Sequence, residues 1–141
     1  MHKITLLIFT LFCAAMNNQA LANTDSHRDP VSSTVSVSFD SGDSTFQADP
    51  TNRAILDAAK TASMVIVSGR TSTDIPSKRD EMLALKRALS ARDYLVSQGV
   101  SPLKIMLNYA SASDYRVDND TPEGKYINQR VDIKIIYVPK Y

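Results

Sequence analysis

The chain has 141 residues, 43% of them hydrophobic, with 16 Lys and Arg against 15 Asp and Glu and a single cysteine. That length gives a prior of one domain, and the apolar fraction supplies a modest core and excludes a disordered chain. The even charge balance lacks the basic excess that nucleic acid or an anionic membrane surface requires.

At the N-terminus, His2 and Lys3 form a short basic region ahead of an apolar run from Ile4 to Ala15. The run has signal-peptide length and is too short to span a bilayer. Asn17-Asn18-Gln19 is a polar interval, and Ala20-Leu21-Ala22 is a small-x-small cleavage site. Residues 1–22 are therefore expected to be a signal peptide, with the mature chain starting at Asn23 in the periplasm. Cys13 follows Leu11-Phe12, whereas a lipid-bearing cysteine wants small residues immediately before it, so it reads as an apolar leader residue. The mature chain then has no disulfide and no thiolate metal site.

Residues 23–33 are polar and read as a flexible lead-in. Thr34 to Phe39 alternates polar and apolar residues, the pattern of a half-buried strand, and Asp40-Ser41-Gly42-Asp43-Ser44 is turn chemistry. Asp49-Pro50 opens a helix expected to reach about Ala62, with Ile55, Leu56, Ala58 and Ala59 on its inner face. Met64-Val65-Ile66-Val67 reads as a central strand ending at Gly69. Ser77 with Asp80 resembles a capping box opening the longest helix. Leu83, Ala84, Ala88, Ala91 and Leu95 recur there at helical spacing, and Gly99 closes it. Lys104 to Ala110 is the third strand, Ser111 to Asn119 a polar loop, and a short helix starts near Thr121-Pro122-Glu123. The last strand runs from Arg130 to Val138. The order predicts an α/β two-layer sandwich of the α+β type over residues 34–141, a four-stranded mixed sheet with helices on one face.

Gly69-Arg70-Thr71, then Leu83-Ala84, Arg87-Ala88, Tyr94-Leu95 and Gly99-Val100, resembles the OmpA-like C-terminal domain family. The stretch Asn119-Asp120-Thr121-Pro122-Glu123-Gly124-Lys125, followed by Asn128-Gln129-Arg130-Val131-Asp132-Ile133, resembles that family's Asn-x-Thr-x-x-Gly-Arg-x-x-Asn-Arg-Arg-Val-Glu-Ile ending. The resemblance covers about Val35 to Ile135. It implies non-covalent peptidoglycan binding, in which an aspartate accepts from the diaminopimelate ammonium and a helix arginine forks onto its carboxylate. Carried over by position, the candidate site is Thr71, Ser72, Asp80, Arg87, Asn128 and Arg130.

This chain departs from the pattern where charge matters. Ser72 stands at the aspartate position, a change from a charge-assisted to a neutral hydrogen bond worth about 1.5–3 kcal/mol. Asp80 or Asp74 could supply the missing carboxylate, although Asp80 also suits a helix cap and Asp74 a solvated loop. Arg87 fits either a pocket role or an exposed helix position, and Asn128 and Arg130 fit the turn into the last strand better than the pocket. Ala110 and Ala112 replace glycines, so the loop after the third strand is expected to take another path.

No catalytic constellation is present. His2 and His27 lie outside the domain, and the four glycines are well separated, so neither a histidine triad, a histidine metal site nor a phosphate loop can be assembled. No cofactor is expected. The expected partners are the peptidoglycan stem and other envelope proteins. Two readings stand: a wall-associating part of a larger envelope assembly, or a fold that has lost its ligand and docks proteins in a secretion, conjugation or pilus machine.

Overall fold

The computed structural model describes residues 29–140. The expected leader and cleavage site, Cys13, His27 and most of the expected lead-in lie outside the described residues.

Four strands and three helices follow one another as β1 (Val31–Ser38), α1 (Pro50–Leu56), β2 (Met64–Arg70), α2 (Lys78–Ser97), β3 (Ile105–Ala110), α3 (Pro122–Asn128) and β4 (Arg130–Tyr137). The sheet order is β1-β4-β2-β3; β4 is antiparallel to both neighbours, and β2 runs parallel to β3. This is the mixed four-stranded α/β fold that the element order implied.

The strand β1 begins at Val31, so Val31, Ser32 and Ser33 are not lead-in: they pair with Tyr137, Ile136 and Ile135. Backbone hydrogen bonding to β4 overrides the polar side chains of Ser32 and Ser33, and Pro30 marks where pairing starts. The first helix also differs from expectation. It becomes a 3-10 helix at Asp57–Thr61, and with three residues per turn Leu56, Ala59 and Ala62 fall on one buried face. Ile55 and Ala58 consequently point outward.

Helix starts follow local chemistry. Asp49, Ser77 and Thr121 each accept from a backbone N–H three residues on, and Pro50 and Pro122 occupy the first turns of α1 and α3. At the far end of α2, Gly99 takes φ +96°, its N–H donates to Val96 and that of Val100 to Leu95. That pair of bonds is a Schellman closure, available because glycine has no Cβ to clash.

Val35, Ile133, Val67 and Leu107 are aligned across the four strands, flanked by Val65 with Ile135 and by Val37 with Val131. The inner residues of this face are buried beneath Ala84, Ala88, Ala91 and Leu95 of α2. The small α2 residues let the helix sit very close to β2. A Cβ on Gly69 would stand 2.0 Å from the carbonyl oxygen of Ala84. That contact fixes the start of α2 against the end of β2, where the candidate site lies.

Candidate functional site

The loop after β2 and the first turns of α2 enclose a shallow cleft of about 170 Å³. Thr71, Ser72 and Thr73 form one wall, and Arg79, Asp80 and Leu83 of α2 form the other; Ser41, Gly42 and Gln129 close it. Of the expected site residues, the fold thus brings Thr71, Ser72 and Asp80 together.

Asp80 occupies the third position of α2, where its backbone N–H donates to Ser77 Oγ and its Oδ2 accepts from the Ser77 hydroxyl. Its capping role and its place in the cleft are therefore compatible. Oδ1 has no protein donor among the described residues. Asp74, the other candidate carboxylate, is turned elsewhere: its Oδ1 accepts from Asn119 Nδ2 at 2.6 Å, and Lys125 Nζ lies 3.8 Å from its Oδ2.

Arg87 is fully buried and does not line the cleft. Neither the pocket-facing nor the exposed placement expected from sequence is observed. Its Nε donates to the Asp43 carbonyl at 2.8 Å, Nη1 to the Arg70 carbonyl at 3.0 Å and Nη2 to the Asp40 carbonyl at 3.2 Å. The guanidinium carbon lies 5.0 Å from the Phe39 ring centre, a cation–π contact. Desolvation lowers its pKa to about 10, opposed by the charge of Asp43, so it remains cationic through the neutral range. Three carbonyls, two from the Asp40–Asp43 turn and one from the end of β2, meet on one planar fork. Arg87 thereby ties the Asp40–Asp43 turn to the end of β2, holding two walls of the cleft from behind.

Asn128 and Arg130 also sit behind the cleft rather than in it. Asn128 is fully buried, accepting from the Arg116 N–H at 2.8 Å and donating to the Val117 carbonyl at 3.0 Å and to Asn119 Oδ1 at 3.1 Å. Arg130 donates to Asp132 Oδ2 at 2.9 Å and to the Asp114 carbonyl at 2.8 Å. Together they fix the loop between β3 and α3. Asn119 of that loop reaches the Ser72 carbonyl at 2.6 Å, so the network positions Ser72.

In the same loop Ala112 adopts φ +50° and Asp114 φ +55°. Ala112 thus accepts the left-handed conformation despite its Cβ, at a cost of about 1–2 kcal/mol. Asp114 is held by Arg70, whose Nη2 lies 2.7 Å from its carboxylate. Ala110 simply ends β3.

Arg79 was not singled out from the sequence. The available signal was a cation in the first turn of a helix, where the macrodipole disfavours positive charge. Arg79 lines the cleft next to Asp80, with Thr71, Ser72 and Thr73 on the opposite wall. Such an arrangement can hold a polar or zwitterionic group. Among the described residues no three His, Cys, Asp or Glu side chains cluster as a metal site, and no helix is long and apolar enough to cross a membrane.

A model of the OmpA family matches residues 38–129. A type IV secretion system outer membrane lipoprotein, as it is named, from Brucella suis is 37% identical over 70 residues, half of this chain and 41% of that one. The match thus spans about two fifths of that relative's length. Two solved structures share the fold. The cell wall anchor of the T6SS from Pseudomonas aeruginosa has a TM-score of 0.58 at 21% identity, covering 75% of this chain and 82% of that one. The peptidoglycan-associated lipoprotein from Burkholderia pseudomallei has a TM-score of 0.60 at 20% identity, covering 72% and 88%. The chain belongs to the OmpA family, whose domains are structural or envelope-associated, and it is not an enzyme.

Proposed function

We propose that this OmpA-family protein associates non-covalently with peptidoglycan from the periplasm, through the cleft between the loop after β2 and the start of α2, as part of a larger envelope assembly. The supporting observation is that Asp80 and Arg79 share one cleft with Ser72. A carboxylate for the ligand ammonium and a guanidinium for the ligand carboxylate are then both present, although position 72 carries no charge. In this reading Asp80 takes over the anionic role, Thr71, Ser72 and Thr73 supply neutral polar contacts, and Arg87, Asn128 and Arg130 hold the walls. The names of the relatives, a cell wall anchor and a peptidoglycan-associated lipoprotein among them, agree with this assignment.

The test is co-sedimentation of the purified protein with insoluble peptidoglycan. Wild type is expected in the pellet, with Asp80→Asn weakening retention by about one to two decades through loss of a charge-assisted bond. Wild-type protein left wholly in the supernatant would overturn the proposal. If Ser72→Asp then creates retention, the fold is one that gave up its ligand. The second reading, a docking module of a secretion machine, would follow; the name of the Brucella suis relative favours it.

A further inference from the structure

The free side of β3 pairs with no other strand among the described residues. Its sequence, Ile105-Met106-Leu107-Asn108-Tyr109-Ala110, contains no charge, no proline and no glycine. An edge of this kind lacks the devices by which proteins keep a strand from pairing with another chain. Its α2-side face is apolar, and its opposite face carries Met106 next to the polar Asn108. Leu107 and Tyr109 lie on the α2 side in line with Val67 and Gly69, and Met106 lies on the opposite side in line with Ile66. They are 36%, 44% and 56% exposed. Beside them on α2, Leu89 and Val96 are each more than a third exposed, and Leu85 is half-buried. Their spacing of four and seven residues forms a stripe along the helix, with Arg92 between Leu89 and Val96. A helix laid on one face would leave Met106 and the strand backbone uncovered; an added strand covers both faces and the backbone together.

We infer that the occupant is a second copy of this chain, pairing β3 with β3 antiparallel about a two-fold axis. Four points favour a copy over a foreign strand. The edge is uncharged, so self-pairing sets no like charges opposite one another. Pairing β3 with itself is isologous and closes at two subunits, whereas β1 with β3 of another copy would propagate into a filament. The helix α2 packs on both β2 and β3, so its axis lies near the line between them. One strand spacing plus half a spacing on each side then separates the two α2 axes by about 10 Å, the distance of packed helices. Finally, the last turn of α2 carries no basic residue, and antiparallel α2 helices bring the partner's exposed Lys78 toward that negative end. The result is a continuous eight-stranded sheet presenting two clefts, which gives two weak wall sites the advantage of linkage.

Sedimentation velocity over a concentration series tests this, and the readout does not depend on wall binding. Wild type is expected to show a reversible monomer–dimer equilibrium. Leu107→Lys and Met106→Lys are each expected to raise the dimer dissociation constant more than about tenfold by placing like charges across the axis. Thr34→Lys on the β1 edge should leave it unchanged. Circular dichroism of each variant establishes that it is folded, so that a monomeric reading reports the interface. A wild type monomeric at every concentration, or a dimer lost in Thr34→Lys and kept in Leu107→Lys, overturns the inference.

Discussion

Arg87 carries a full charge into the protein interior, and the cost is met by three backbone carbonyls and an aromatic face. Removing the side chain leaves those carbonyls unpaired and opens a void. Arg87→Ala is therefore expected to destabilise the protein by at least about 3 kcal/mol in urea unfolding. Arg87→Lys should recover only part of that, because one ammonium cannot reach three carbonyls set around a planar fork. Loss of wall retention in Arg87→Ala would consequently report a collapsed cleft, whereas Asp80→Asn removes the cleft's charge while its amide oxygen can still accept from the Ser77 hydroxyl. Ala112 offers the opposite case. At φ +50°, Ala112→Gly should relieve strain and raise stability by about 0.5–1 kcal/mol, seen as a higher melting temperature.

Among the elements, the contact between β2 and α2 governs the site. Gly69 meets Ala84 and Ala88 so closely that even a methyl group has no room. Gly69→Ala should force the helix off the strand, lower stability by about 2–3 kcal/mol and weaken any binding at the cleft. By contrast, Gly99→Ala meets no atom within 4 Å but retains φ +96°. It should cost about 1 kcal/mol, from backbone strain alone, and leave the cleft intact. Thermal melts paired with peptidoglycan co-sedimentation separate these two outcomes.

For the whole molecule, the proposed wall contact depends on two partly solvated charges in a shallow cleft. Retention on peptidoglycan should therefore fall as salt rises toward about 1 M, where screening reaches about 3 Å. Retention that holds constant across that range would indicate an apolar contact instead. A dimer through the apolar β3 edge should respond in the opposite sense, tightening or holding as excluded salts such as sulfate are added.

The sequence by itself determined the element order, the caps at Asp49, Ser77 and Thr121, the closure at Gly99 and the alternating core of β4. These follow from local backbone chemistry and side-chain periodicity, which neighbouring residues settle among themselves. It also marked Thr71, Ser72 and Asp80, which share a cleft. Only the tertiary structure decided that Arg87, Asn128 and Arg130 lie behind that cleft, because their partners are carbonyls and amides as far as 47 residues away in the chain. The same holds for Val31–Ser33, drawn into β1 by pairing with β4, and for Leu56, Ala59 and Ala62, aligned by a local change of helical period. A residue type indicates which bonds it can make; the fold decides which carbonyl stands within reach.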